Sequence, residues 1–296
     1  MGTNHQSEGG NIAGAPGRSS RILALDGRPR PETYDLSLAN NHQRSMGQTL
    51  AGRVALVTGG ARGIGRATAL KLASAGCDIA VNYYNSHAEA TDLCEQVRGL
   101  GREAIAIQGS VGDPDSVKDM FASLKETFDR LDILVSNAAS GVLKPAMQMN
   151  RKHWRWCMET NALALLMLSQ EAVKLMPEGG RIIALSSLGA SRAIPDYAFV
   201  GASKAALESM VRSLAQELGP QGIRVNTISA CVVDTDALSH FPNRETLLEN
   251  FSQRNPTGKS MVPEHVADAA YLLCLPEAEM INGQTLIVDG GFAISG

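Results

Sequence analysis

V-A-L-V-T-G-G-A-R-G-I-G, running from Val54 to Gly65, decides how the rest of the chain is read. Its first half is an unbroken apolar run, the pattern of a strand buried on both faces. Its second half is a turn with glycines at 59, 63 and 65, followed by helical periodicity over 64–75. Without Cβ atoms such a turn curls tightly and lets a pyrophosphate approach the backbone, where the helix N-terminus offers amides and a positive dipole end. Gly59, Arg62, Gly63, Ile64 and Gly65 are therefore candidate cofactor-binding residues. The competing reading is a turn built only for packing; its place directly after the first strand weighs against that.

The same alternation continues along the chain. Strands are predicted at 78–83, 103–107, 132–136, 181–186, 223–228 and 285–289. Helices are predicted at 86–99, from Asp113 with Pro114 in its first turn, near 151–176, at 197–218 and from Pro263. Apolar strands alternating with helices imply one α/β domain, a single doubly wound parallel sheet of Rossmann type flanked by helices. Ligands of such sheets bind at the C-terminal ends of the strands.

Composition narrows the function classes. A net charge of −3 over 296 residues argues against nucleic-acid binding. No apolar run reaches the length of a membrane span. Five cysteines, at 77, 94, 157, 231 and 274, show neither paired nor zinc-ligand spacing. They read as small buried hydrophobes of a cytoplasmic protein, and no metal site is expected. Residues 1–48 are rich in Gly, Ser, Asn, Arg and Pro and read as a disordered extension without a secretory signal. The Rossmann-type domain is expected over 49–296.

The end of the second strand bears on cofactor choice. N-Y-Y-N-S-H, Asn82 to His87, carries no carboxylate where an NAD site places one for the ribose 2′-hydroxyl. A 2′-phosphate would meet no repulsion there. Arg62 can supply its cation, and Asn85 and Ser86 can hydrogen-bond it. The residues thus permit NADPH, the alternative for Arg62 being a solvated surface charge.

A second stretch, P-D-Y-A-F-V-G-A-S-K from Pro195 to Lys204, poses a chemical question. A proton-donating tyrosine and a lysine commonly sit one helical turn apart, yet the residue four before Lys204 is Val200. The nearest tyrosine is Tyr197, seven residues earlier. Seven residues turn about 700° and rise roughly 10 Å, against roughly 6 Å for four, so the pair can share a face with the tyrosine one turn further away. Hydride addition to a ketone puts charge on the oxygen of the attacked carbon. Addition to the β-carbon of an enoyl thioester puts it on the thioester oxygen, three bonds away, and the donor must shift accordingly.

Taken in order, these motifs resemble the short-chain dehydrogenase/reductase family over about residues 50–295. T-G-G-A-R-G-I-G matches its glycine loop, S-N-A-A (136–139) its N-N-A-G segment, and N-G-Q-T-L-I-V-D-G-G (282–291) its closing strand. The resemblance places Asn161 and Ser187 at the family's active-site asparagine and serine. It places Asn137, Ser110, Val111 and Thr235 around the cofactor, and it associates a basic residue at position 62 with NADPH. The Tyr-x6-Lys spacing, with L-S-S-L-G-A-S-R-A-I-P-D-Y and D-T-D-A-L-S-H-F-P-N-R-E (234–245), is similar to the NADPH-dependent type III enoyl-acyl-carrier-protein reductases within it. That likeness implies catalytic roles for Tyr197, Lys204, Asn161 and, as a helper, Ser187. Lys204 would also bind the cofactor's ribose. It further implies an acyl thioester substrate on an acyl carrier protein and a homotetramer.

A polar stretch at 236–256, with Phe241, Pro242 and Phe251, is the expected substrate lid. Ala230-Cys231 departs from the Pro-Gly that commonly follows the sixth strand in the family. Arg151, Lys152 and Arg155 read as a solvated helix end rather than a carrier-protein surface, and Trp154 and Trp156 as packing or subunit contacts. The competing functions are a reductase of 3-oxoacyl thioesters or other ketones, a reductase of an unsaturated substrate other than a fatty acyl chain, and a catalytically silent NADPH-binding protein.

Overall fold

The computed structural model describes residues 1–2, 49–235, 238 and 244–295. The chain divides into two units, Met1–Arg44 and Ser45–Gly296. Apart from Met1 and Gly2, the expected disordered extension lies outside the described residues.

In the second unit the strands are β1 (Val54–Val57), β2 (Asp78–Tyr83), β3 (Ala104–Gln108), β4 (Ile133–Ser136), β5 (Gly180–Ser187), β6 (Ile223–Ala230) and β7 (Thr285–Val288). They form one sheet in the order β3-β2-β1-β4-β5-β6-β7, with every pairing parallel. The order reverses beside β1, so the loops after β1 and β4 part to opposite sides and open a crevice there. This is the doubly wound sheet that the apolar alternation predicts.

The pleat sorts side chains into two cores. Ala55, Val57, Ile133, Val135, Ile183, Leu185 and Ile228 face one layer of helices: α1 (Gly63–Ser74), α2 (His87–Gly99) and α8 (Pro263–Cys274). Leu56, Leu134, Ile182, Ala184 and Val225 face the other: α3 (Pro114–Thr127), α5 (Ala164–Ala172) and α6 (Ala198–Leu218). Both faces are dry, which is why the strands read as unbroken apolar runs.

Two elements differ from the sequence expectation. The helix expected near 151–176 is interrupted. α4 (Arg151–Met158) passes into a π-helical turn at Glu159–Leu163 before α5 resumes, and the helical segment ends in a 3-10 turn at Val173–Leu175. The expected lid contains a helix, α7 (Arg244–Arg254), while Phe241 and Pro242 lie outside the described residues. Phe251 of α7 is buried and packs on Phe292 at 5.5 Å between ring centroids.

The start of α3 is as the sequence dictates: the Asp113 carboxylate accepts from the Asp115 amide at 3.1 Å, with Pro114 in the first turn. Asp113→Ala is expected to lower stability by about 1 kcal/mol, read as a lower urea midpoint at unchanged m-value.

Candidate active site

The glycine loop joins β1 to α1 and is held by two asparagines from neighbouring strands. Asn82, in β2, accepts the Gly59 amide on its side chain at 3.2 Å and the Gly60 amide on its backbone carbonyl at 2.9 Å. Its side-chain nitrogen donates to the Gly109 carbonyl at 3.0 Å, so one buried residue ties together the loops after β1 and β3. Asn137, after β4, donates to the carbonyls of Thr58 at 2.9 Å and Gly59 at 3.1 Å. Its amide group therefore fixes the loop rather than reaching into the crevice. A Cβ at Gly65 would strike the Gly59 carbonyl and lie 2.7 Å from Asn137 Nδ2, so the helix can approach the loop this closely only without a side chain. Asn82 was missed by sequence reasoning; its signal was a lone amide inside the apolar run D-I-A-V-N-Y.

Arg62 is exposed at the N-cap of α1, and its side chain forms no hydrogen bond or ion pair among the described residues. It gives the first turn no side-chain cap, which leaves the leading amides for a ligand. Ile64 packs partly buried against the core beneath. Beyond β2, Asn85 is exposed, and Ser86 sits at the N-cap of α2 with a side chain that does not cap it. Ser110 is held by its amide, which donates to Ser116 Oγ at 2.8 Å, and Val111 is buried in the core with Val117 and Met120. Thr235 closes the other side: its Cγ2 would lie 3.4 Å from a Cβ at Gly63. Uncapped helix amides, a glycine-lined cradle, an unpaired Arg62 and no carboxylate after β2 fit a dinucleotide carrying a 2′-phosphate.

The other half of the crevice forms where β5 ends. Ser187 is the last residue of β5, and its hydroxyl accepts the Gly189 amide at 3.1 Å. Tyr197 hydrogen-bonds with Ser187. Tyr197, expected as the first residue of the helix over 197–218, is instead the N-cap of α6; its carbonyl accepts from Gly201 at 2.7 Å. The chain enters it through Asp196, whose φ of 60° makes it the non-glycine residue in left-handed backbone among those described. The ring lies against Gly189, where a Cβ would come within 2.5 Å of Cδ1. Burial raises the phenol's pKa above its usual value, against the pull of the Ser187 hydrogen bond. The group is thus a proton-bearing donor at neutral pH.

Lys204, two turns along α6, is buried, and its ammonium donates to the Leu185 carbonyl at 2.7 Å. Burial lowers its pKa to about 8, while Glu208, one turn on, pushes it back up. Glu208 is itself held by Ser186 Oγ at 2.6 Å. Val200, at the position one turn before Lys204, is buried and packed so closely on Gly141 that any side chain there would collide with it. Asn161 occupies the π turn. Its side chain accepts the Ser140 amide and donates to the Ser140 carbonyl, both at 2.8 Å, and reaches Ser203 Oγ at 2.9 Å. Tyr197 and Ser187 are therefore in contact, Lys204 bonds two residues back along the same strand, and Asn161 touches the residue beside Lys204.

A profile of the enoyl-(acyl carrier protein) reductase type of short-chain dehydrogenases matches residues 59–293. The chain is 38% identical over 244 residues to the 1-cyclohexenylcarbonyl-CoA reductase of Streptomyces collinus, spanning 82% of this chain and 87% of that one. The chain belongs to the short-chain dehydrogenase/reductase family. Among solved members, a short-chain dehydrogenase of Burkholderia cenocepacia J2315 in complex with NADP is 34% identical. The match covers 83% of this chain and 100% of that one with a TM-score of 0.78. The angucycline C-6 ketoreductase LanV with bound NADP is also 34% identical, with 84% and 98% covered and a TM-score of 0.78. The family thus holds proteins named for C=C and for C=O reduction at similar distances from this chain.

The buried ammonium leaves a trace in stability. The folded protein releases the Lys204 proton near pH 8, whereas the unfolded chain holds it to about pH 10.4. At this group unfolding then takes up a proton between these values, so the Lys204 contribution to stability rises with pH across that window. Burial raises the pKa of all five cysteine thiols, which pulls stability down above about pH 8.5, so the Lys204 contribution is read as a difference. Urea titrations of the cofactor-free protein and of Lys204→Met from about pH 7.5 to about 10.5 are expected to show wild type gaining stability relative to the variant as pH rises.

Proposed function

We propose that this protein is an NADPH-dependent reductase of a C=C bond conjugated to a thioester carbonyl, the activity of an enoyl-acyl-carrier-protein or enoyl-CoA reductase. The observation that carries the reading is the position of the phenol. Val200 fills the place one turn before Lys204, buried and wedged on Gly141, so no donor can sit there. The one tyrosine at the site stands at the N-cap of α6, seven residues ahead of the lysine and hydrogen-bonded to Ser187. This spacing suits charge developing on an oxygen remote from the attacked carbon.

NADPH held at the glycine loop would supply the hydride. Arg62, Asn85 and Ser86 would hold its 2′-phosphate, and Lys204 its nicotinamide ribose. Tyr197 donates a hydrogen bond to the thioester oxygen and stabilises the enolate there. Burial keeps that phenol protonated, and the nearby ammonium keeps the local field positive. Asn161 orders the loop at Ser140 beside Lys204. The name of the Streptomyces collinus relative, a reductase of a cyclohexenylcarbonyl-CoA, supports an unsaturated thioester as the substrate class. Carriage of that substrate by an acyl carrier protein, the lid role of 236–256 and assembly into a homotetramer remain parts of this proposal. The exposed Trp154 and Trp156, with Phe199 edge-to-face on Trp154, offer an apolar surface for such assembly.

One observation favours carbonyl reduction instead. The Tyr197 and Ser187 hydroxyls are hydrogen-bonded, so two donors can converge on a single ketone oxygen. The two readings separate in one assay: NADPH oxidation with a short trans-2-enoyl thioester and with an acetoacetyl thioester. The enoyl substrate alone is expected to be turned over, and turnover of the keto substrate alone would overturn the proposal.

Within that assay, Tyr197→Phe is expected to lower kcat by about a hundredfold or more, as for loss of an oxyanion donor. A loss below about tenfold, with Lys204→Ala equally mild, would remove Tyr197 from the mechanism. Gly189→Ala places a methyl group 2.5 Å from the Tyr197 ring and displaces it. Its kcat is expected to fall by roughly the hundredfold that a misplacement of about 1 Å can cause, with the KM for NADPH little changed.

A further inference from the structure

Opposite the glycine loop, at the N-terminal ends of the strands, lies a cavity of about 520 Å³ lined by Arg53, Arg130, Arg181 and Arg224. Their pairing differs. Arg130 is neutralised locally: it bonds both carboxylate oxygens of Asp132, at 2.6 and 3.0 Å, and approaches Glu178 at 3.6 Å. Arg224 is held by backbone carbonyls at helix ends, Glu279 at 2.7 Å and Gly219 at 3.2 Å, and meets the exposed Glu279 carboxylate only at 3.8 Å. Arg53 has no side-chain hydrogen bond or ion pair among the described residues. Arg181 donates only to its own neighbour's carbonyl, Gly180, and its Nε is buried with no partner.

The pleat makes this arrangement a site rather than a scatter. Arg181 and Arg224 are register partners on β5 and β6. Both lie in phase with the residues that face α1 and α8, and Arg53, next to β1, is in the same phase. Three guanidiniums therefore share one sheet face at its edge, and with Arg130 the cavity lining sets four guanidiniums against three carboxylates, Asp132, Glu178 and Glu279. Burial lowers the pKa of Arg181, and its like-charged neighbour Arg53 lowers it further. Two facing cations, one with a desolvated unpaired donor, are unfavourable unless an anion lies between them. Guanidinium forks match tetrahedral oxyanions in geometry, and the positive charge in excess favours an anion.

We propose that this cavity is a second anion-binding site, separate from the cofactor crevice, which takes a phosphate group between Arg53 and Arg181. The proposal does not depend on the reaction assigned to the crevice. Its ligand class is a phosphate or phosphate ester, and the cavity is large enough for more than the phosphate itself.

The test is the thermal midpoint of the full chain titrated with inorganic pyrophosphate, with citrate at equal ionic strength as the polycarboxylate arm. A rise of roughly 5 °C is expected at about a hundred times Kd. Because Arg62 in the glycine loop also attracts phosphate, Arg62→Gln is run beside Arg181→Gln and Arg53→Gln. A pyrophosphate shift kept in Arg62→Gln and lost in both other variants supports the site; any other pattern overturns it. A citrate shift equal to that of pyrophosphate overturns the phosphate assignment. Arg181→Met gives a second, ligand-free reading. Removing a buried charge that faces Arg53 is expected to raise the midpoint without anion, and a fall would show a guanidinium already satisfied by the fold and sink the proposal.

Discussion

A chain leaving the end of a buried parallel strand carries amides and carbonyls that the ladder no longer pairs, and each needs a partner. The reductase crevice is made of such chain ends, so its shape depends on what pairs them. Here the partners are largely asparagine side chains, which offer an acceptor and two donors from one planar group. Asn82 joins the loops after β1 and β3, and Asn137 clamps the glycine loop to the end of β4. Asn161 pairs both backbone groups of Ser140, as a neighbouring strand would. Asn226 does the same office further along, donating to Ile281 and accepting from Gln284. The bonds of Asn82, Asn137 and Asn161 leave the crevice preorganised: its walls are fixed by the protein rather than by a ligand.

The π turn at Glu159–Leu163 follows from the same requirement. An uninterrupted helix would keep every backbone group in the helical ladder and its side chains on regular faces. Inserting a wider turn reaims Asn161 toward Ser140 and Ser203, one residue from Lys204. π-bulges inside helices often mark functional sites because they exchange helical regularity for the direction of one side chain. In this chain the direction gained links the loop after β4 to the helix bearing the lysine.

Much of this was legible in the sequence. The strands, both helical layers and the cap of α3 follow from apolar runs, periodicity and the Asp-Pro start, because burial on two faces leaves an unmistakable pattern. The glycine loop was legible for the same reason, although Gly65 proves to serve helix packing as much as ligand approach. Features set by long-range contact were not legible. Nothing local to E-T-N-A-L announces a π turn, since its cause is the amide of Ser140. Nothing in R-E-T-L-L-E-N-F announces that α7 is pinned through Phe251 to Phe292, more than a helix length away in sequence. Tyr197 was placed one residue too far into α6, because the αL turn at Asp196 that starts the helix there is invisible to periodicity.

The position of that tyrosine shows how a small change in sequence can redirect chemistry on a constant frame. The ammonium of Lys204 is fixed by the Leu185 carbonyl, and Leu185 belongs to β5, whose register is locked by β4 and β6. The phenol is fixed differently, through a loop: Gly189 makes room for the ring, Ser187 bonds its hydroxyl, and the Lys144 amide holds the Asp196 carbonyl at 3.0 Å. Lysine and tyrosine thus depend on separate supports. The sheet can hold the cation in place while the loop carries the donor along the crevice, and a buried Val200 removes any donor from the nearer position. In the proposed reaction, where the oxygen of the substrate must lie is then set by the loop after β5, and where the hydride must arrive is set by the sheet.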